Sequence, residues 1–343
     1  MKQLENVDIR AWNTFRVRAV VRAMLLVEEE QDFDDLPLVL GSLPAPFLVM
    51  GGGSNLLFCH DYPGTVVKVV TQGIEVAEED RDTVLLSVAA GVEWETLVNY
   101  CLERGYGGIE NLTMIPGLVG SAVVQNIGAY GVEVKDVVEK VAVVSLRGKG
   151  SHLLYNADCA FGYRRSLFKT SYPDKYLIKR VFFRLRKAPV VNLSYGSLSR
   201  ELAERGLTHP DIGQVASVIR AIRAAKLPDV EVLGSAGSFF KNPEVSEETY
   251  RSLQMRYPSI PGYPLPQGGV KLAAGWLIEK AGWKGYRSGD AGVYPQQALV
   301  LVNYGEATGK EIYALSEEIR QNVKQRFGIA LEREVQVIGE ECK

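Results

Sequence analysis

Ile115-Pro116-Gly117-Leu118-Val119-Gly120-Ser121, running on through Gln125-Asn126-Ile127-Gly128-Ala129-Tyr130-Gly131, carries four glycines and no charged residue. Main chain stripped of bulky side chains can lie flat against a planar heteroaromatic ring, and peptide N–H and C=O groups then read the ring's polar edge. The stretch therefore predicts a binding loop. The plainer alternative is a buried glycine corner, which would have to satisfy its own main-chain polar groups.

Toward the N-terminus a second glycine segment, Gly51-Gly52-Gly53-Ser54-Asn55, lies between the apolar runs Phe47-Leu48-Val49-Met50 and Leu56-Leu57-Phe58. Successive N–H groups in such a turn can form an anion-binding concavity. It is neither a Walker A loop nor G-x-G-x-x-G, and a strand-like run follows it, so a tight turn and a pyrophosphate cradle both satisfy the pattern. Around the two segments, residues 65–70, 84–90, 137–145 and 176–185 are rich in β-branched residues and read as strands. Val92, Trp94, Leu97, Val98 and Cys101 recur at helical spacing and predict an amphipathic helix over residues 93–104.

The second half changes character. Ile212, Val215, Ile219 and Ile222 line one face of a helix predicted over residues 211–225 and stopped before Pro228. Thr308 with Glu311 forms a capping-box pattern, followed by Ile312, Leu315, Ile319 and Val323 on one stripe. Strands are predicted over 298–302 and 334–337, and another helix around Leu272, Trp276 and Leu277. Residues 257–269 hold four prolines and three glycines, the composition of a loop or lid. Four segments follow: two subdomains over 1–70 and 71–210, a third domain over 211–330, and a terminal strand and tail over 331–343.

Composition excludes several functions. The 343 residues carry a formal net charge of −2, without the basic face that nucleic-acid binders use. The basic runs at Lys179-Arg180 and Arg184-Arg186-Lys187 alternate with apolar residues, as solvated strand faces do. No stretch has the length and apolarity of a membrane helix, and the start of the chain is polar and acidic, so a cytoplasmic protein is expected. Four cysteines, Cys59, Cys101, Cys159 and Cys342, form no C-x-x-C pair and read as free thiols of a reducing compartment. With three histidines in turn-like settings, neither a Ser-His-Asp triad nor a metal site is expected. The chemistry must then come from a bound cofactor with Arg, Lys, Ser, Tyr and Glu.

The two glycine segments occur in register with Phe161-Gly162-Tyr163-Arg164, Gly237-Ser238-Phe239-Phe240-Lys241-Asn242-Pro243, Lys271-Leu272-Ala273-Ala274-Gly275-Trp276-Leu277-Ile278 and Leu331-Glu332-Arg333-Glu334-Val335. Together they resemble the UDP-N-acetylenolpyruvoylglucosamine reductases, from Asn13-Thr14-Phe15 to Ile338-Gly339. The resemblance implies an α+β chain. Its expected fold is the vanillyl-alcohol-oxidase-like (PCMH-type) FAD-binding fold of two subdomains, with a C-terminal α+β substrate-binding domain. It also implies FAD as cofactor, NADPH as co-substrate, a nucleotide-sugar substrate, a place in peptidoglycan precursor synthesis, and a monomer. The reaction is reduction of an enolpyruvyl group, which needs a hydride at one alkene carbon, a proton at the other, and donors for charge spreading onto the carboxylate.

Residue by residue, the resemblance implies Arg164 as the guanidinium that grips the carboxylate, Ser238 as proton donor and Glu334 as third catalytic member. Arg165 beside the first reads as a surface charge. The setting of Ser238 between small residues and aromatics suggests a cramped, water-poor site. On a strand Glu332 and Glu334 would share a face, so spacing leaves both open and only the resemblance selects Glu334. FAD is expected on Gly51, Gly52, Gly53, Ser54 and Asn55, and on Ile115, Pro116, Gly117, Gly120, Ser121, Gln125, Asn126, Ile127 and Gly128. Tyr195, Lys226, Asn242, Tyr263, Lys284 and Gln297 are implied substrate contacts, and the Tyr195 loop resembles the longer subtype. Arg333 and Tyr294-Pro295 depart from the usual residues without removing a catalytic group. A flavin oxidase of the same fold and a non-catalytic sensor remain the competing classes, the first discriminated by O₂ consumption and the second by activity that survives loss of Ser238.

Overall fold

The structure, a computed structural model, describes residues 1–146, 150–170 and 175–339. The chain builds two units and enters each more than once. Met1–Val7, Val21–Gly52 and Pro63–Arg223 form the first; Asp8–Val20, Gly53–Tyr62 and the chain from Ala224 form the second.

The first unit holds two sheets. One has the order Lys2–Asp8, Val20–Val27, Tyr62–Val69, Phe47–Met50, the last two parallel with Met50 opposite Lys68. The other runs Ser151–Tyr155, Val138–Ser145, Tyr176–Arg186, Thr83–Ala89, Ile74–Glu79, antiparallel throughout. In its central strand Val181, Phe183 and Leu185 point into the core while Arg180 and Arg184 face outward, the period of two that a half-solvated sheet imposes. Arg184 meets Glu78 and Glu139 at 2.8 and 2.7 Å, so the basic run is a charge-paired strand face, as read. The helix Trp94–Arg104 buries Trp94, Leu97, Val98 and Cys101. It ends at Gly105, whose φ of +71° supplies the left-handed turn of a helix C-terminus. Trp94 is fully buried, and its indole N–H donates to Leu112 O at 2.8 Å, which satisfies its polar edge inside the core.

The second unit is built on the antiparallel sheet Gly234–Ser238, Val300–Asn303, Ala291–Val293, Arg287–Ser288. The helix Gly309–Phe327 packs on it through Ile312, Leu315, Ile319 and Val323, started by the Thr308 and Glu311 capping box. Leu56–Phe58 and Gln336–Ile338 pair in parallel. Three expectations are not met here. Residues 257–269 contain the strand Gly262–Pro264, paired with Val270–Leu272; it is an edge strand of its sheet, where a proline without an N–H is tolerated. The strand expected from residue 334 begins at Gln336, since the Glu334 N–H is drawn away to Phe239 O at 2.9 Å. Cys101 and Cys159 are free, and burial pushes both thiols up to about 12. Cys59, read as a free thiol, is disulfide-bonded; Cys342 lies outside the described residues. Among the described residues no helix is long and apolar enough to cross a membrane.

Candidate active site

The glycine segments meet inside the first unit. A Cβ on Gly51 would lie 2.7 Å from Ser121 Cβ, and one on Gly52 would lie 3.0 Å from Gly117 Cα. Glycine is required at both places, since Gly51 lies against the Ser121 side chain and Gly52 against the Gly117 main chain. Gly117 adds a φ of +125°, outside the reach of ordinary side chains. Ser121 Oγ is turned inward, accepting from Leu118 N at 3.0 Å and donating to Leu118 O at 2.8 Å. Ile115 and Ile127 pack against the core. Gln125 accepts from Lys169 Nζ at 2.6 Å. The first segment is divided between the units: Gly51 and Gly52 belong to the first, Gly53, Ser54 and Asn55 to the second. Gly53 has φ +68° and backs onto Trp12 O.

Arg164 is the second residue of a two-residue turn closed by Gly162 N–H to Arg165 O and Arg165 N–H to Gly162 O, both 3.0 Å. Its φ is +55°, a conformation that costs an L-residue about 1–2 kcal/mol. Strain of this kind survives only where surrounding contacts enforce it. The guanidinium supplies them, with Nη2 donating to Gly128 O at 2.7 Å and Nη1 to Asn126 O at 3.4 Å. Asn126 is fully buried with φ +42° and braces both loops. Its Nδ2 donates to Gly162 O at 2.9 Å and Glu133 Oε2 at 3.1 Å, while Oδ1 accepts from Lys135 N at 3.2 Å. Arg165 is exposed, as its surface reading required.

In the second unit, Ser238 follows a bulge. The register of Gly234–Ser238 against Val300–Asn303 shifts between Ser235 and Ser238, Gly237 takes φ +68°, and its N–H donates to Ser235 Oγ at 3.1 Å. Bulges re-aim the side chain that follows them. Ser238 is exposed while Phe239 and Phe240 are fully buried, so the chain by itself does not supply the cramped setting expected of this serine. An isolated antiparallel bridge joins Phe240 to Arg333, Lys241 N–H donates to Glu332 O at 2.9 Å, and Glu334 N–H donates to Phe239 O. Asn55 Nδ2 holds Glu334 O at 3.1 Å. Ser238 and Glu334 are thereby fixed on adjoining main chain. The two glutamates part company: the Glu332 carboxylate is 72% exposed and paired with Lys241, whereas Glu334 is half-buried at a bend.

Among the expected substrate contacts, Tyr195 lies in the first unit, edge-on to Tyr130 at 5.4 Å. The others lie in the second. Lys226 is exposed at the end of helix Ile212–Lys226, where a cation also suits the helix dipole. Asn242 Oδ1 accepts from Ala274 N at 3.0 Å, Gln297 Oε1 from Leu299 N at 3.3 Å, and Lys284 pairs with Glu279 at 3.2 Å. Tyr263 is 56% exposed.

A model of the UDP-N-acetylenolpyruvoylglucosamine reductase C-terminal domain matches residues 228–338, and one of an FAD binding domain matches residues 21–153. Over 333 residues the chain is 47% identical to the UDP-N-acetylenolpyruvoylglucosamine reductase of Chromobacterium violaceum, covering 96% of this chain and 97% of that one. The chain belongs to that family. The Pseudomonas aeruginosa reductase is 44% identical over 330 residues, again covering 96% and 97%. The crystal structure of the Thermus caldophilus reductase matches with a TM-score of 0.67 over 98% of both chains at 24% identity, a likeness of fold. The architecture is thus the α+β, vanillyl-alcohol-oxidase-like FAD fold with its C-terminal domain. The glycine contacts described above suit FAD. Without Cβ atoms at Gly51 and Gly52 the two loops close on each other, and glycine main chain lets a diphosphate approach its N–H groups.

Sequence reasoning missed a polar cluster behind the second glycine loop. Glu95 accepts from Met114 N and Arg220 Nη2, each at 2.6 Å, and from Thr113 Oγ1 at 2.8 Å. Arg223 donates to Met114 O at 3.1 Å, and Met114 has φ +57°. Burial pushes the Arg223 guanidinium below its ordinary range, opposed by Tyr130 and Glu95, with Arg164 adding to the lowering. Burial likewise raises the Tyr130 phenol. Arg220 and Arg223, three residues apart on one helix, were the available signal.

Proposed function

We propose that Arg164, Ser238 and Glu334 carry the reduction in this chain, with FAD held by the two glycine segments and the nucleotide sugar by Tyr195, Lys226, Asn242, Tyr263, Lys284 and Gln297. The chain is an FAD-dependent oxidoreductase of its family. Its reaction is the NADPH-dependent reduction of UDP-N-acetylglucosamine enolpyruvate to UDP-N-acetylmuramate, in peptidoglycan precursor synthesis. Held on the two glycine segments, FAD would supply the hydride, drawn from NADPH, that one alkene carbon needs. The Arg164 guanidinium, fixed on the carbonyls of Asn126 and Gly128, grips the carboxylate on which charge spreads. Ser238 delivers the proton to the other alkene carbon, and Glu334, pinned through its main chain, serves as the third group.

The observation that carries the assignment is the enforced left-handed conformation of Arg164. A surface ion pair has no need of that strain, and a positioned carboxylate clamp does. The reading further takes the protein to be a monomer of the cytoplasm. Sedimentation and cell fractionation test both points.

Ser238→Ala tests the mechanism. Anaerobic NADPH should bleach the flavin of this variant at the wild-type rate. Re-oxidation by the enolpyruvyl sugar should slow by about 10²- to 10⁴-fold. Unchanged re-oxidation would remove Ser238 from the reaction.

A further inference from the structure

Lys68 stands in an apolar strand, between Val67 and Val69, and is 8% exposed. An apolar residue there would serve the core as well, and a buried ammonium is costly to keep. Its Nζ donates to Gly51 O, immediately past the end of the neighbouring parallel strand, where Met50 is opposite Lys68. In a trans peptide the C=O and the following N–H point in opposite directions. Drawing Gly51 O toward Lys68 therefore turns the Gly52 N–H away from it. That N–H donates to no acceptor among the described residues. Gly52 also packs so tightly on Gly117 that the turn cannot swing toward that loop.

We infer that Lys68 is a positioning residue for cofactor binding: it locks the Gly51–Gly52 peptide with its N–H presented to the diphosphate of FAD and sets a positive charge beneath it. This rests on reading the Gly51-Gly52 turn as part of the FAD site. The geometry joins two contributions, an oriented donor and a cation in a low-dielectric setting, each of which favours an anion more than it would in water. Burial pushes the Lys68 ammonium down to about 8, so at neutral pH the charge is present but weakly held, and a bound diphosphate would stabilise it. The first glycine segment thus gains an electrostatic floor that no phosphate-loop motif in the sequence announces.

The test uses the full chain stripped of FAD. Binding of FAD and of riboflavin, which lacks phosphate, is followed by quenching of flavin fluorescence, and unfolding of the stripped protein by urea. In Lys68→Met, FAD affinity should fall about 10- to 100-fold, the loss of one hydrogen bond to a charged group, with riboflavin affinity unchanged. Stability of the stripped protein should hold or rise, because a buried charge has gone. Lys68→Gln, a neutral donor, should recover part of the FAD affinity. Unaltered FAD binding in Lys68→Met, equal losses for FAD and riboflavin, or a loss of stability in step with affinity would each overturn the inference. Gly52→Ala separates the two levels. If it weakens FAD while Lys68→Met does not, the glycine turn still binds FAD and Lys68 alone is misassigned; if neither variant matters, the turn is misassigned too.

Discussion

Replacing Asn126 with alanine removes three hydrogen bonds made by one buried amide: those to Gly162 O, Glu133 Oε2 and Lys135 N. At about 0.5–1.5 kcal/mol each, their loss amounts to roughly 1.5–4.5 kcal/mol; the Lys135 N–H is left without this acceptor, whereas Gly162 O keeps the Arg165 N–H. Alanine also accepts φ +42° less readily than asparagine, which adds about 1 kcal/mol. Asn126→Gly loses the same bonds but relieves the backbone, so it should sit about 1 kcal/mol above Asn126→Ala. Urea unfolding monitored by tryptophan fluorescence gives both values. Because Asn126 O and Gly128 O anchor Arg164, both variants should also lower kcat while NADPH still bleaches the flavin. A destabilisation below about 1 kcal/mol for Asn126→Ala, or identical values for the alanine and glycine variants, would refute the argument that this amide and its backbone conformation hold the two loops together.

Further expectations concern single groups. Arg164→Lys keeps the charge but loses the planar fork, so kcat/KM for the enolpyruvyl sugar should drop by about 10- to 100-fold in steady-state assays; a drop under twofold would mean that charge alone suffices. Glu334→Gln should lower kcat at least about tenfold, as expected for a group acting in proton transfer. Glu332→Gln should leave kcat within about twofold, its carboxylate being exposed against Lys241, and the reverse order in the same assay would transfer the role to Glu332. The folded-state pKa of Lys68, about 8, lies below its ordinary value of 10.5, so the unfolded chain binds more protons between these limits and stability must rise with pH across them. Lys68→Met lacks this rise. Relative to it, wild type should gain up to about 3 kcal/mol between pH 8 and 10.5 in urea titrations, and parallel curves would show that Lys68 titrates normally.

Much of the fold was legible because its signals are local. Helical spacing located Trp94–Arg104 and Ile212–Lys226, and two residues three apart announced the start of Gly309–Phe327. These patterns depend on neighbours within one or two turns, which a sequence displays directly. The family too was readable, since several long motifs kept their order along the chain.

What lay outside the sequence depends on strands that meet from far apart. The segment Glu-Val-Gln-Val after Arg333 alternates equally well in either register, and only pairing with Phe239 and Phe240 puts Glu334 at a bend and leaves Glu332 on the surface. Lys241 and Glu332 are 91 residues apart, and no local rule joins them. Asn126 was read as a cofactor contact from its place in the glycine stretch, yet its amide is occupied by Gly162, Glu133 and Lys135. Lys68 is a single charge within a stretch legible only as strand, and parallel pairing alone sets it beside Gly51. Local pattern in the chain settles which residue types are at hand for the chemistry and where most of the helices and strands run. Tertiary structure alone decided which of those groups are buried, held and aimed, because burial and hydrogen-bond partners are properties of surfaces brought together by folding.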